Sequence, residues 1–211
     1  SAIRLGVNVV AYVLASTEYG RFLAQEFPIY EGSSRPGDVF RFALARYAGS
    51  WDVNPAVQNS IQQALKENTG IDVDYALHAV NLDDPELVNY PLVFMTGHYD
   101  FALTAAEVEN LRAYLTRGGL LVGLPAAGFK PFDTAFRREL RRVLPDSEWV
   151  AIPPSHSLFS GGWNAIEQVA YTPRALRDDP SLMTPQFEAL FVQQRPVVLV
   201  TPYDVLSGAN R

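Results

Sequence analysis

The sequence predicts a three-layer α/β fold: a mostly parallel sheet flanked by helices, with extra strands in the C-terminal third. Three observations carry that expectation. Leu92-Val93-Phe94-Met95 and Leu120-Leu121-Val122 are short continuous apolar runs, the mark of central parallel strands covered on both faces. Between them lies a segment of helical period opened by Thr104-Ala105-Ala106-Glu107, a capping box. After residue 146 the alternation of strand and helix gives way to strands separated by proline-rich loops, which adds strands to the alternating core.

Taken in order, residues 2–15 read as a helix, with Ile3, Val7, Val10 and Leu14 at helical spacing and a stripe thick enough to be buried. Residues 16–37, rich in Gly and Pro, form a connecting arm, so the chain divides into an N-terminal helix and arm, 1–37, and an α/β domain, 38–211. Phe40, Phe42 and Leu44 alternate with Arg41, Ala43 and Ala45 as a strand. Asn54-Pro55 caps a helix with Ile61, Ala64 and Leu65 inward, and Gly70 stops it. Ile71 to Leu77 alternates as a second strand, and Asp83-Asp84-Pro85-Glu86 reads as a helix-start cap. The helix after Thr104 points Val108, Leu111 and Leu115 inward and closes at Gly118-Gly119. Asp133 or Thr134 caps the next, with Phe136, Leu140 and Val143 on one side, and Pro145 ends it. Residues 148–152, 165–171, 187–192 and 197–201 read as strands, and 155–160 as a helical turn.

A net charge of -6 argues against nucleic acid, which needs clustered Lys and Arg. The one basic run, Arg137-Arg138-Glu139-Leu140-Arg141-Arg142, reads as a solvated helix face. With no cysteine there is no disulfide, thiolate nucleophile or Cys-ligated metal. The longest N-terminal apolar run, Val9 to Ala15, falls far short of the about 20 residues that span a bilayer.

Four loops at the ends of apolar runs hold the unusual polar and aromatic residues: 46–51, 97–100, 124–128 and 202–204. In an open α/β sheet these ends surround a crevice. The candidate binding residues are therefore Arg46, Tyr47, Trp51, His98, Tyr99, Asp100, Ala126, Ala127, Gly128, Tyr203 and Asp204. His98 and Asp100 are also candidate general acid or base groups, or a loop held by hydrogen bonds. Arg46 can clamp an anion or, the preferred reading, anchor Asp100 or Asp204. Leu121 to Gly128 has the form of a nucleophile elbow, yet Leu, Pro and Ala cannot attack a carbonyl. His98 and His156 lack metal-ligand spacing, so neither metal nor cofactor is expected.

Residues 46–55, Leu82 to Leu87, Tyr90-Pro91, Thr96-Gly97-His98, Phe132 to Leu140, Pro154 to Phe159 and Tyr203-Asp204 recur in the order of the bacterial family catalogued as domain of unknown function 4159. The chain resembles that family over about residues 38–206. The resemblance implies a flavodoxin-like fold similar to class I glutamine amidotransferases, and residues 118–127 look like the strand-turn of trehalose-utilisation-like proteins. Relatives often carry acidic residues and a Cys-Gly pair where this chain has Leu124 to Gly128, and the trehalose-utilisation-like pattern has a His at Pro125. Without cysteine, amidotransferase chemistry is closed. The family also implies a soluble, extracytoplasmic part of a larger bacterial protein, some such parents being membrane-anchored. The segment Ala2 to Tyr12 looks like one that normally closes such a domain at its C-terminus. It is expected to pack on the sheet of its own chain, or of a neighbour as a homo-oligomer contact.

The sequence thus predicts a non-catalytic binding domain. Arg46 would meet anionic groups, Trp51 and Tyr99 would stack, and His98 and Asp100 would hydrogen-bond a small polar ligand or a protein segment. The alternative is a hydrolase with His98 as base, Asp100 or Asp204 orienting it and water as nucleophile, possibly on a carbohydrate-related substrate.

Overall fold

The computed structural model describes residues 8–10, 12, 39–53, 56–68, 73–160, 166, 169, 171 and 173–203. The chain runs through strand β1 (Phe42–Arg46), helix α1 (Ala56–Asn68), β2 (Ala79–Asn81) and a 3-10 turn over Pro85–Asn89. Then come β3 (Leu92–Gly97), α2 (Ala105–Thr116), β4 (Leu120–Pro125), a second 3-10 turn over Ala126–Gly128, and α3 (Lys130–Val143). It continues through β5 (Val150–Ala151), the short helices α4 (Ser157–Ser160) and α5 (Pro173–Asp178), β6 (Glu188–Val192) and β7 (Arg195–Val200).

These form one seven-stranded sheet in the order β2-β1-β3-β4-β7-β6-β5. The first five in that order are parallel, with Phe42 beside Leu92, Leu92 beside Leu120 and Leu121 beside Val198. β6 runs antiparallel to both β7 and β5, so the expected extra strands lie at one edge. Gln193 and Gln194, both at positive φ (49° and 64°), make the tight β6–β7 turn, whose backbone twist matches that of the strands it joins.

Helices cover both faces of the sheet, which is why β3 and β4 are buried along their whole length and almost entirely apolar. On one face Phe42, Leu44, Phe94, Val122 and Leu199 pack with Ile61 and Leu65 of α1, and with Val9 and Val10 of the N-terminal segment. On the other, Ala43, Ala45, Val93, Met95, Leu121 and Val198 meet Leu111 and Leu115 of α2 and Phe132, Phe136 and Leu140 of α3. The alternation in β1 therefore separates two cores rather than core from solvent. Each fully buried Leu or Phe contributes about 1.5–3 kcal/mol of transfer free energy.

Asn8, Val9, Val10 and Tyr12 are helical, and Val10 is completely buried within its own chain; Val7 lies outside the described residues. The Asn54-Pro55 cap and the Gly70 stop also lie outside them. The capping box at Thr104 forms: its hydroxyl accepts from Glu107 N at 3.2 Å, and the Glu107 carboxylate accepts from Thr104 N at 2.7 Å. Asp84 caps as expected, accepting from Glu86 N at 2.9 Å, but opens a 3-10 turn.

Five expectations are corrected. The strand expected over 71–77 is absent among the described residues beyond a bridge between Val73 and Phe40, and β2 begins only at Ala79. α3 starts at Lys130 with Pro131 in its first turn, ahead of Asp133, which pairs with Arg137 at 3.1 Å. Proline fixes φ near the helical value and needs no N–H partner there, so the turn can begin earlier. Ile166, Val169 and Tyr171 belong to no strand, and α5 arises where only loop was expected. The basic run of α3 is mostly engaged rather than solvated, as the ion pairs below show.

Candidate functional site

The chain leaves β1 towards β2 on one side and β3 towards β4 on the other, so the sheet reverses its direction of winding between β1 and β3. The loops after these strands part at such a point and open a crevice. Tyr47 lies beneath it, buried, with its hydroxyl donating to Thr96 O at 2.9 Å. Burial pushes the Tyr47 phenol pKa far above its ordinary value, so it stays a neutral donor. A β-carbon on Gly97 would collide with the Tyr47 hydroxyl and the Phe132 ring, which fixes glycine at the end of β3. From the β1 loop, Ser50 Oγ accepts from His98 N at 3.1 Å and ties the two crevice loops together.

Above this floor the rings gather. His98 meets Phe129 edge to face at 4.9 Å between ring centroids and Tyr99 at 5.9 Å, while Tyr99 and Phe129 stand 6.5 Å apart. Tyr99 is 66% exposed and Phe129 40%, large values for aromatic side chains, and His98 is half-buried. The Arg46 guanidinium sits over the half-buried Trp51 ring at 5.2 Å from its centroid. Ala127 takes a left-handed conformation (φ 51°, ψ 20°) in the turn between β4 and α3, and Gly128 follows at φ 69°. After β7, Tyr203 packs edge-on against Tyr171 at 4.8 Å. Burial first, then the neighbouring Tyr203, pushes the Tyr171 pKa up to about 12. Asp204 lies outside the described residues.

The expected anchor for Asp100 is a different arginine. Asp100 pairs with Arg138 of α3 at 3.0 Å, whereas Arg46 makes no ion pair among the described residues. Arg138 also donates to Glu139 at 2.8 Å and to Phe101 O. Glu139, 2% exposed, accepts from Leu103 N at 3.2 Å and from Arg142, which in turn donates to Leu103 O at 2.9 Å. Burial alone would raise the Glu139 pKa, but the hydrogen bonds from Arg138, Arg142 and Leu103 outweigh it and hold the carboxyl below the ordinary glutamate range. One buried carboxylate thus locks the loop that carries His98 and Tyr99. Arg137 is engaged as well, with Asp133 and Glu188 at 3.1 and 2.5 Å.

The sequence reading did not single out Ser50, Phe129, Arg138 or Glu139 as site residues. Glu139 carried a signal, because it stands on the apolar face of α3 beside Phe136, Leu140 and Val143 with arginines at adjacent and i+3 positions. The ring of His98 has no hydrogen bond among the described residues, so no carboxylate orients it there. His156 accepts from Leu158 N at 3.2 Å and faces Tyr12 at 5.6 Å. Burial lowers its pKa. Among the described residues no three metal-ligating side chains converge, and no helix is long and apolar enough to cross a membrane.

A model of the family described as Domain of unknown function (DUF4159) matches residues 41–210. No curated protein matches the chain.

Proposed function

This chain belongs to the DUF4159 family, and we propose that its crevice binds a small polar ligand carrying a flat ring rather than turning a substrate over. The observation that carries this reading is the mutual packing of half-buried His98 with exposed Tyr99 and Phe129. Rings of that size normally bury 150–250 Å² each, so leaving two of them to water at the crevice keeps a ready stacking surface. Trp51 under Arg46 adds a fourth ring and a cation, and Asp100 is already neutralised by Arg138.

The finer relationship we read is to class I glutamine amidotransferase-like proteins. Its support is the left-handed residue between β4 and α3, where such enzymes need a thiolate and this chain carries Ala127. The hydrolase alternative loses Asp100 as its orienting group, because that carboxylate pairs with Arg138 rather than with His98, which leaves it Asp204, outside the described residues. In this reading the domain is the soluble part of a larger, membrane-anchored bacterial protein.

A thermal-shift screen of ring-bearing metabolites tests the proposal. At least one compound should raise the Tm of the wild-type chain, lose that effect in both Tyr99→Ala and His98→Ala, and leave the mixture chemically unchanged. Ligands that stabilise the variants as well as the wild type place binding elsewhere, and product accumulation restores the enzyme reading.

A further inference from the structure

At the amino ends of the strands, opposite the crevice, lies a second polar cluster. Arg41 precedes β1, His78 precedes β2 and Tyr90 precedes β3 by one residue or two. Asp74 Oδ2 lies 3.0 Å from His78 Nε2, and the Tyr90 hydroxyl lies 3.4 Å from His78 Nδ1, with the two rings 5.5 Å apart. An ionised carboxylate only accepts hydrogen bonds, so Nε2 carries the imidazole proton. Nδ1 of the neutral ring is then an acceptor, and the Tyr90 O–H donates to it.

The imidazole is held firmly in that role. Gln62 Nε2 donates to Asp74 O at 2.8 Å and to Ala76 O at 3.1 Å, and Gln58 Nε2 donates to His78 O at 3.0 Å. Leu44 N of β1 reaches the same His78 carbonyl at 2.9 Å. Both glutamines are buried in α1. The Asp74 carboxyl is held below its usual range, first by the Ala76 N–H and then by His78, and Arg41 Nε approaches it at 3.1 Å.

The geometry points to Tyr90 as a base-assisted nucleophile, a covalent modification site that takes hard phosphorus(V) or sulfur(VI) electrophiles. Phenol, imidazole and carboxylate stand here in the order nucleophile, base and orienting group. Tyr90 Oη attacks the phosphorus or sulfur atom, and the bond to the leaving group breaks with its electron pair going to that group. The phenolic proton moves to His78 Nδ1, and Asp74 stabilises the imidazolium that results. A phenolate oxygen is a hard donor, which sets the electrophile class. Arg41, with a side chain 58% exposed and its Nε 3.1 Å from Asp74, brings positive charge suited to an anionic phosphoryl donor.

Other tyrosines supply the control within the same molecule. Tyr99 is 66% and Tyr75 50% exposed, and neither hydroxyl has a base among the described residues. The intact chain is treated in parallel with an aryl sulfonyl fluoride, which loses fluoride from sulfur, and with acetyl phosphate, which loses acetate from phosphorus. Peptide mass spectrometry then gives a labelling rate for each tyrosine. Tyr90 should react on the order of 10²-fold faster than Tyr99 with at least one reagent, within the range of general-base assistance. His78→Gln, whose amide can still donate to Asp74, should bring Tyr90 down to the Tyr99 rate and leave Tyr99 unchanged. His78→Gly should be rescued in part by added imidazole, which a merely structural histidine would not allow. Acetyl phosphate labelling that falls in Arg41→Gln identifies the phosphoryl source, and labelling by the neutral reagent alone identifies the sulfuryl one. A Tyr90 rate no higher than that of Tyr99 with both reagents overturns the assignment. So does a rate unchanged in His78→Gln, or a label carried on His78 itself.

Discussion

His98 and His78 stand at opposite ends of one sheet and are treated in opposite ways. The ring of His98 packs against two exposed aromatic side chains and makes no hydrogen bond among the described residues, whereas His78 is engaged at both nitrogens and pinned through its carbonyl. The carboxyl end keeps contact groups open above a locked support, and the amino end closes its polar groups on one another. A surface kept for a ligand leaves its recognition groups unspent and places the satisfied bonds one layer beneath, in Glu139, Ser50 and Tyr47.

The largest test of that contrast removes the support. Glu139→Ala should cost about 2–3 kcal/mol in urea unfolding, less than a fully buried ion pair because Arg138 and Arg142 are half-exposed and partly rehydrate. A cost below about 0.5 kcal/mol would show that the His98 loop is held by something else.

Acid compares the two ends directly. Glu139 and Asp74 both have depressed pKa values in the folded chain, so their stabilisation is complete above the unfolded carboxylate pKa of about 4 and is lost as pH falls through the lower folded values. Urea midpoints should hold steady from this source between about pH 7 and 5 and drop below about pH 4. Glu139→Gln should remove the crevice share of that drop and Asp74→Asn the share from the other end. If both variants retain the full acid slope, neither cluster governs it.

The smallest effect belongs to the open surface itself. Tyr99→Ala should change stability by no more than about 0.5 kcal/mol, because its ring is 66% exposed, and Phe129→Ala, at 40% exposed, by about 1 kcal/mol. A loss of several kcal/mol in either would make the aromatic cluster a piece of core.

The sequence made the sheet legible wherever backbone pairs with backbone. The runs in β3 and β4 and the box at Thr104 announce themselves within a few residues, and once the strands are placed the positions of the four crevice loops follow. The misreading of 71–77 has a specific cause. Its alternation is real, but Asp74, Ala76 and His78 give their carbonyls to Gln62 and Gln58 of α1, so side chains of a helix stand in for a neighbouring strand. The support of the site was harder to see because its bonds join residues far apart in the chain. Arg138 and Asp100 are 38 positions apart, and no local pattern reports such a pairing. Glu139 was visible as a charge on an apolar stripe, and the flanking arginines drew the reading towards solvent instead.

Ala127 holds a β-carbon in a left-handed turn, a conformation that costs roughly 1–2 kcal/mol for any residue but glycine. The turn keeps that conformation without a reacting group, so the backbone geometry and the chemistry it could serve are separable properties of this molecule. For protein engineering, position 127 is a vacant socket. A cysteine grafted there would emerge between β4 and the start of α3 on a backbone already bent to present it, and the chain's lack of any other thiol would make it a single addressable handle.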